Sequence, residues 1–207
     1  MRAARGGVAS ADLLVRSFDF AEVEALQAAD RWDDAGALLA DAARLLVAGG
    51  AEAIVICTNT MHRVYEPVAT TVAPVPVLHI ADATAAAVLA AGLTSVGLMG
   101  TRFTMEQDLY VGRLRDRHDL HVVVPEAADR DLVHRAIYDE LVRGVISPAS
   151  RTAYQDVVAR LVDRGAEGVI AGCTEIELLL GPDDVTVPYF PTTRLHAEAA
   201  AAFALDG

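Results

Sequence analysis

Cysteine is rare in this sequence, and both cysteines stand where a side chain could move protons. The 207-residue chain contains two, Cys57 and Cys173. Each follows a short apolar run and precedes polar residues that lead into a predicted helix, in the segments CTNT (57–60) and CTE (173–175). Backbone N–H groups at a helix start favour anions, so each turn is expected to lower a thiol pKa and to hold a carboxylate.

Two thiols on opposite sides of one carbon can invert the configuration of that carbon. A base removes the α-proton of an amino acid from one face, and an acid returns a proton to the other face. We therefore predict that Cys57 and Cys173 are catalytic, one as thiolate and the other as thiol. The alternative is that each cysteine serves only as a small buried apolar residue. A zinc site is disfavoured, because neither cysteine has further ligands at the usual spacing.

Polar neighbours of the cysteines supply the other functions that such a reaction requires. Glu175 and His62, and in second place His196, are predicted to tune the thiol pKa values. Hydroxyl and amide donors that could bind substrate are Thr58, Asn59, Thr60 and Thr174, and Thr101 and Thr104 follow another predicted strand. A role in capping a helix is the alternative for Thr101 and Thr104.

The elements that must position these residues form an internal repeat. The segment LLVAGGAEAIVICT (45–58) recurs as RLVDRGAEGVIAGCT (160–174), with one residue inserted before the cysteine. Predicted strands at 12–20, 53–56, 77–79, 95–99, 121–124, 168–171 and 187–190 alternate with predicted helices at 33–47, 61–71, 82–91, 105–116, 131–142 and 149–164. We therefore predict an α/β fold of two pseudosymmetric lobes with mainly parallel sheets, one cysteine on each wall of a central cleft.

Composition sets the class of protein. Hydrophobic residues make up 53% and charged residues 22%, as in a folded globular domain, and the net charge is -12. This acidic balance and the absence of a Lys/Arg run argue against a nucleic-acid or anionic-membrane partner. No apolar run approaches the roughly 20 residues of a membrane helix, and no secretory signal is recognised. A cytoplasmic location is expected.

Several segments resemble the aspartate/glutamate racemase family, in particular its broad-specificity branch. The similarity is carried by CTNTMH (57–62), GCTEIELL (172–179), HIADAT (79–84), GTRFTMEQDLY (100–110) and LHAEAA (195–200). The resemblance implies two three-layer lobes with boundaries at 1–82 plus 193–207 and at 83–192. It also implies catalysis by Cys57 and Cys173 without pyridoxal phosphate or a metal ion.

The same resemblance implies the substrate and further contacts. The substrate is expected to be a free amino acid, aspartate or glutamate or a broader range. Arg143 matches a basic position that meets the substrate's acidic group in relatives, and Gln27 lies in a stretch that contributes a substrate contact. A homodimer is expected, as in the family.

Comparison of the two repeats predicts that the first lobe lacks a strand and loop at its start. Ser95, at the first strand of the second lobe, precedes Cys173 by 78 positions, whereas 56 residues precede Cys57. Two alternatives therefore stay open. The protein could be another enzyme of the superfamily, of the hydantoin racemase or maleate isomerase type, or a truncated binding relative without activity.

Overall fold

The computed structural model describes residues 2–206. Its α-helices are α1 (Arg2–Arg5), α2 (Phe20–Ala28), α3 (Trp32–Ala48), α4 (Tyr65–Val72), α5 (Ile80–Ala90), α6 (Arg102–Glu106), α7 (Asp108–His118), α8 (Ala127–Asp139), α9 (Pro148–Asp163), α10 (Ile176–Leu179) and α11 (Thr192–Asp206). Its strands are β1 (Ile54–Val55), β2 (Val77–Leu78), β3 (Ser95–Gly100), β4 (His121–Val123), β5 (Val169–Gly172) and β6 (Tyr189–Pro191). Short 3-10 helices lie at Thr60–Val64, Leu141–Arg143 and Pro182–Asp184. The predicted α/β alternation is confirmed.

The chain forms two compact units, each with its own parallel sheet. The first unit comprises Met1–Ile56, Met61–His79 and Ala197–Gly207. The second comprises Cys57–Thr60 and Ile80–His196. The short segment that carries Cys57 therefore groups with the unit that carries Cys173.

The second unit is a three-layer α/β sandwich. Its four strands run parallel in the order β4-β3-β5-β6. Side chains alternate between the faces of a strand, so Val169 and Ala171 of β5 enter one core cluster and Ile170 enters the other. Helices cover both clusters, and burial of each large apolar side chain contributes about 1.5–3 kcal/mol to stability. The sheet is thereby fixed on both faces.

The first unit contains a smaller parallel pair. Ile54 pairs with Val77 and Val55 with Leu78, in the order β1-β2. Helix α3 buries the face that includes Ala35, Ala40 and Ala43. It ends at Ala48 and is followed by Gly49 and by Gly50, whose φ lies in the left-handed region that favours glycine. The predicted order of helix, glycine stop and buried strand is confirmed here.

The predicted strand over 12–20 is wrong. Residues 9–19 have no regular secondary structure, and α2 begins at Phe20, capped by the Asp19 carboxylate, which accepts a hydrogen bond from the Ala21 N–H. Leu13 and Val15 are 73% and 80% exposed. An apolar run becomes a strand only where a neighbouring strand pairs with it, and none of the described strands pairs with this segment.

Within residues 2–206, no helix is long and apolar enough to cross a membrane.

Candidate active site

Three strand ends of the second unit and one connecting segment carry the candidate site. In a parallel sheet the carboxyl ends of the strands share one edge, where ligands bind in open α/β folds. Thr101 follows β3, Cys173 follows β5 and Thr192 follows β6. The segment 57–60 is hydrogen-bonded to two of these ends. The structure thus brings together residues far apart in sequence.

Cys173 is held by a close approach of two strands. Gly172, the residue before it, pairs with Gly100 of β3. A Cβ atom on Gly172 would lie 2.9 Å from the Met99 carbonyl oxygen and 2.9 Å from the Leu98 Cδ1 atom. A larger residue would therefore push β5 away from β3 and displace the thiol. This requirement accounts for the glycine before the cysteine in the second repeat.

Glu175 is hydrogen-bonded to the Cys173 thiol. The Cys173 Sγ donates to Glu175 Oε2 over 2.9 Å, and the Thr174 hydroxyl donates to the same oxygen over 2.6 Å. Cys173 is 8% exposed. Because the Thr174 proton is committed to Glu175, that hydroxyl can offer a substrate only its lone pairs. The carboxylate is in position to accept the thiol proton.

The expectation that the helix starts lower the thiol pKa values is wrong. Burial raises the pKa of Cys173 well above its usual range, and the neighbouring Glu175 carboxylate raises it further. The backbone N–H groups of Glu175 and Ile176 lower the Cys173 pKa, but by less. Burial also raises the pKa of Cys57, although the residue is exposed. Desolvation of the Cys173 thiolate therefore outweighs the effect of these N–H groups.

A buried hydrogen-bond chain connects Asn59 to the sheet. The Asn59 Nδ2 donates to the Thr192 Oγ1 over 3.0 Å, and this hydroxyl donates to the Ala171 carbonyl over 2.8 Å. Asn59 is 6% exposed, and its Oδ1 is a buried atom without a hydrogen-bond partner among the described side chains. Buried acceptors are usually satisfied, so an unpartnered buried oxygen marks a candidate contact for a ligand.

A second chain of hydroxyls connects Thr60 to β3. The oxygens of Thr60 and Thr101 are 3.3 Å apart, and those of Thr101 and Thr104 are 3.2 Å apart. Thr101 also caps α6 by accepting a hydrogen bond from the Thr104 N–H. The predicted capping role of Thr101 is confirmed, and the same hydroxyl also reaches Thr60, whereas a contact of Thr101 with substrate stays a prediction. Thr58 lies half-buried between Cys57 and Asn59.

Two predicted site residues belong to the first unit. His62 is 1% exposed and its ring centroid lies 4.4 Å from that of His79. Gln27 is buried, and its Nε2 donates to the Met61 Sδ over 3.1 Å. Their roles towards the cysteines stay predictions.

Arg143 and His196 belong to the second unit. Arg143 ends a 3-10 helix and is exposed, whereas His196 is buried on α11. Thr192, which the sequence analysis did not select, is bonded to a predicted site residue. Its only sequence signal is its place two residues after the strand predicted at 187–190.

The described residues contain no group of three or more His, Cys, Asp or Glu side chains that could hold a metal ion. The side chains gathered here that can exchange protons or form hydrogen bonds include the Cys173 thiol, the Glu175 carboxylate and neighbouring hydroxyl and amide groups.

Comparison with known proteins agrees with this architecture. The mixed α/β fold with parallel sheets is the fold of amino-acid racemase structures of the Asp/Glu type. Residues 1–200 match the family model of Asp/Glu/hydantoin racemases, and the chain belongs to that family.

Solved structures give the same result. A candidate Asp/Glu racemase from Yersinia pestis is 48% identical with a TM-score of 0.92, covering 99% of this chain and 88% of that chain. An aspartate racemase homologue from Pyrococcus horikoshii OT3 is 32% identical with a TM-score of 0.82, covering 94% and 84%. Glutamate racemase from Francisella tularensis, at 17% identity and a TM-score of 0.62, shares the fold, covering 84% of this chain and 65% of that chain. An uncharacterized protein from Pectobacterium carotovorum is 34% identical over 112 residues, which are 54% of this chain and 72% of the relative.

Proposed function

We propose that this protein racemises a free amino acid, aspartate or glutamate or a broader range, by proton exchange between two thiols and the α-carbon. The observation that carries the proposal is the 2.9 Å hydrogen bond from the Cys173 thiol to Glu175, in a turn repeated in sequence at Cys57. Family membership and the names of the relatives support it.

The proton path follows from this hydrogen bond. Glu175 takes the thiol proton, and the Cys173 thiolate then removes the α-proton of the substrate. The Cys57 thiol gives its proton to the opposite face, which inverts the centre. After product release the Cys57 thiolate regains a proton from water and Glu175 loses one to water, so no net proton is consumed. The reverse reaction begins with Cys57 as the base.

The high pKa of Cys173 has a mechanistic use in this scheme. A strongly basic thiolate is a better acceptor for a weakly acidic C–H proton, provided that it forms only when substrate is present. Burial keeps the thiol protonated beforehand, and Glu175 gives the proton a nearby place to go. The α-carbanion would be stabilised by donors around the substrate carboxylate, for which Thr58, Thr60 and Thr101 are proposed.

Other predicted contacts complete the proposal. The buried Asn59 Oδ1 is proposed to bind the substrate ammonium, and Thr174 to bind substrate through its remaining lone pairs or backbone N–H. Arg143 and Gln27 are proposed to contact the substrate side chain, and His62 to tune Cys57. These assignments rest on the residues and on the family resemblance.

The test is exchange of the α-hydrogen with solvent deuterium, followed for both enantiomers of aspartate and glutamate. Wild-type protein should exchange and racemise at least one of them, and Cys57→Ser or Cys173→Ser should lower racemisation by about 10²-fold or more. If both variants racemised at the wild-type rate, the two-thiol mechanism would be wrong. If wild-type protein left every amino acid unchanged while keeping its fold, a non-catalytic relative would be favoured.

A second candidate is racemisation of a substituted hydantoin, favoured by the family description, which includes hydantoin racemases. A hydantoin has no free ammonium or carboxylate, so it would leave the buried Asn59 Oδ1 with a ring N–H as its only donor. Parallel assays with a 5-substituted hydantoin, maleate and the amino acids separate these reactions. Turnover of hydantoin or maleate alone would replace the amino-acid proposal.

A homodimer and a cytoplasmic location are also proposed. The apolar side chains of Val145 and Ile146 are 50% and 49% exposed, and they offer one surface that a second copy of the chain could cover. Light scattering over a concentration series gives the mass in solution, and a monomer at all concentrations would contradict the dimer.

A further inference from the structure

Thr192 occupies a position in which its hydrogen-bonding direction is fixed. It is the first residue of α11, directly after β6, and is fully buried. Its hydroxyl lies 2.8 Å from the carbonyl oxygen of Ala171 on the neighbouring strand β5. A carbonyl can only accept, so the single hydroxyl proton of Thr192 is committed to Ala171.

This commitment sets the orientation of Asn59. The Thr192 oxygen has only lone pairs left, so the Asn59 side chain must face it with its NH₂ group, as the 3.0 Å contact from Nδ2 shows. The Asn59 Oδ1 is thereby turned away from Thr192. It is the buried oxygen that no described protein group satisfies. A flipped amide would oppose two acceptors at Thr192 and present NH₂ to the ligand instead.

We propose that Thr192 is a positioning residue, which holds the Asn59 amide so that its carbonyl oxygen accepts a hydrogen bond from the α-ammonium group of the substrate. This inference rests on the proposed amino-acid function. It gives the site a reason to prefer a substrate with an ammonium group over a dicarboxylate of the same length. With the amide held in this way, the preference is built into the free protein.

The test uses one disruptive variant, one conservative variant and a matched control. Thr192→Val keeps the shape and removes both hydrogen bonds, whereas Thr192→Ser keeps the hydroxyl. Thr84→Val is the control, because Thr84 is also fully buried in the second unit, donates to a carbonyl (Ile80, 2.8 Å) and accepts from a side chain (Tyr110 Oη, 3.3 Å). Both valine variants should lose similar stability, so stability alone cannot produce a difference between them.

The first readout is binding, measured by calorimetry in a background with Cys57→Ser and Cys173→Ser so that the ligand is not turned over. The ligands are L-aspartate and succinate, which differ only in the amine, with L-glutamate and glutarate as a second pair. Thr192→Val should weaken binding of the amino acid by about tenfold and leave the dicarboxylate nearly unchanged. Thr192→Ser and Thr84→Val should keep the wild-type preference. Equal loss for both ligands, or the same effect in Thr84→Val, would overturn the proposal.

The second readout needs no substrate. The side-chain NH₂ protons of Asn59 should exchange slowly with water in the wild-type protein by NMR, and faster in Thr192→Val but not in Thr84→Val. Unchanged exchange in Thr192→Val would overturn the positioning role even if racemisation were found. If the background variant bound neither amino acid and the protein racemised none, the amino-acid function and the ammonium contact would both be wrong, while this readout would still decide whether Thr192 holds the amide.

Discussion

Glu175 accepts a hydrogen bond from the thiol of Cys173 over 2.9 Å, two residues along the same turn. The carboxylate therefore has two opposite effects on the thiol. Its negative charge raises the Cys173 pKa, and its oxygen offers a place for the proton. The pair favours a neutral thiol at rest and a short proton path when a base is required.

Glu175→Gln should separate these two effects. Glutamine keeps an acceptor oxygen but has no charge, so the Cys173 pKa should fall because the neighbouring negative charge is gone. Racemisation should nevertheless fall by about 10²-fold, since the amide cannot take the proton. The pKa is measured from the pH dependence of Cys173 alkylation in a Cys57→Ser background. A rate equal to that of wild type would remove Glu175 from the proton path.

Cys57 should react with iodoacetamide more slowly at neutral pH than an unstructured cysteine does. Burial raises its pKa, so the thiolate fraction is lower. In a Cys173→Ser variant, the alkylation rate should rise with pH, with a midpoint above the value of about 8.5 for free cysteine. The same protein unfolded in urea is the control, and it should return the midpoint to that value. A folded midpoint below it would mean that the turn stabilises the thiolate.

Stability should decrease in alkaline solution. Burial raises the pKa values of Cys173, Tyr154 and Tyr189, and these groups titrate at lower pH in the unfolded chain. Their contribution is therefore complete below about pH 8, and it is lost as pH rises past about 9 to 10, where the unfolded chain releases protons first. Urea unfolding at pH 8 and pH 10.5 measures the difference. Tyr154→Phe, which removes one titrating group, should reduce the pH dependence, and an unchanged dependence would contradict this account.

Thr101→Val should affect both stability and turnover. It removes the cap of α6 and the contact with Thr60, at a cost of about 1 kcal/mol in the free energy of unfolding. The matched control is Ser147→Ala, since Ser147 caps α9 by accepting from the Ser150 N–H. Chemical denaturation should give similar losses for both variants, but α-hydrogen exchange should slow only in Thr101→Val. Equal exchange rates in the two variants would reduce Thr101 to a helix cap.

The fold was largely predictable from local patterns. Apolar runs indicated β3 and β5, and helical periodicity indicated α3 and α9 with an error of one residue at each end. The segment at 12–20 had the same apolar character but is not a strand. Strand formation depends on a pairing partner elsewhere in the chain, and local sequence does not report whether that partner is present.

The candidate site, too, was only partly predictable from the sequence. The duplicated Cys-Thr turn and the glutamate after it were visible in the sequence, because repetition marks equivalent positions without any knowledge of distances. The bonds from Thr192 to Asn59 and from Thr101 to Thr60 span 133 and 41 positions and left no local pattern.

The sequence by itself therefore determined the family, the α/β alternation and the two cysteines at equivalent strand ends. Only the tertiary structure decided that burial raises the thiol pKa values, and that a buried threonine fixes the direction of the Asn59 amide. Desolvation depends on all atoms packed around a group, and a hydrogen-bond direction depends on which partner already holds the proton. Both quantities arise from contacts between distant parts of the chain.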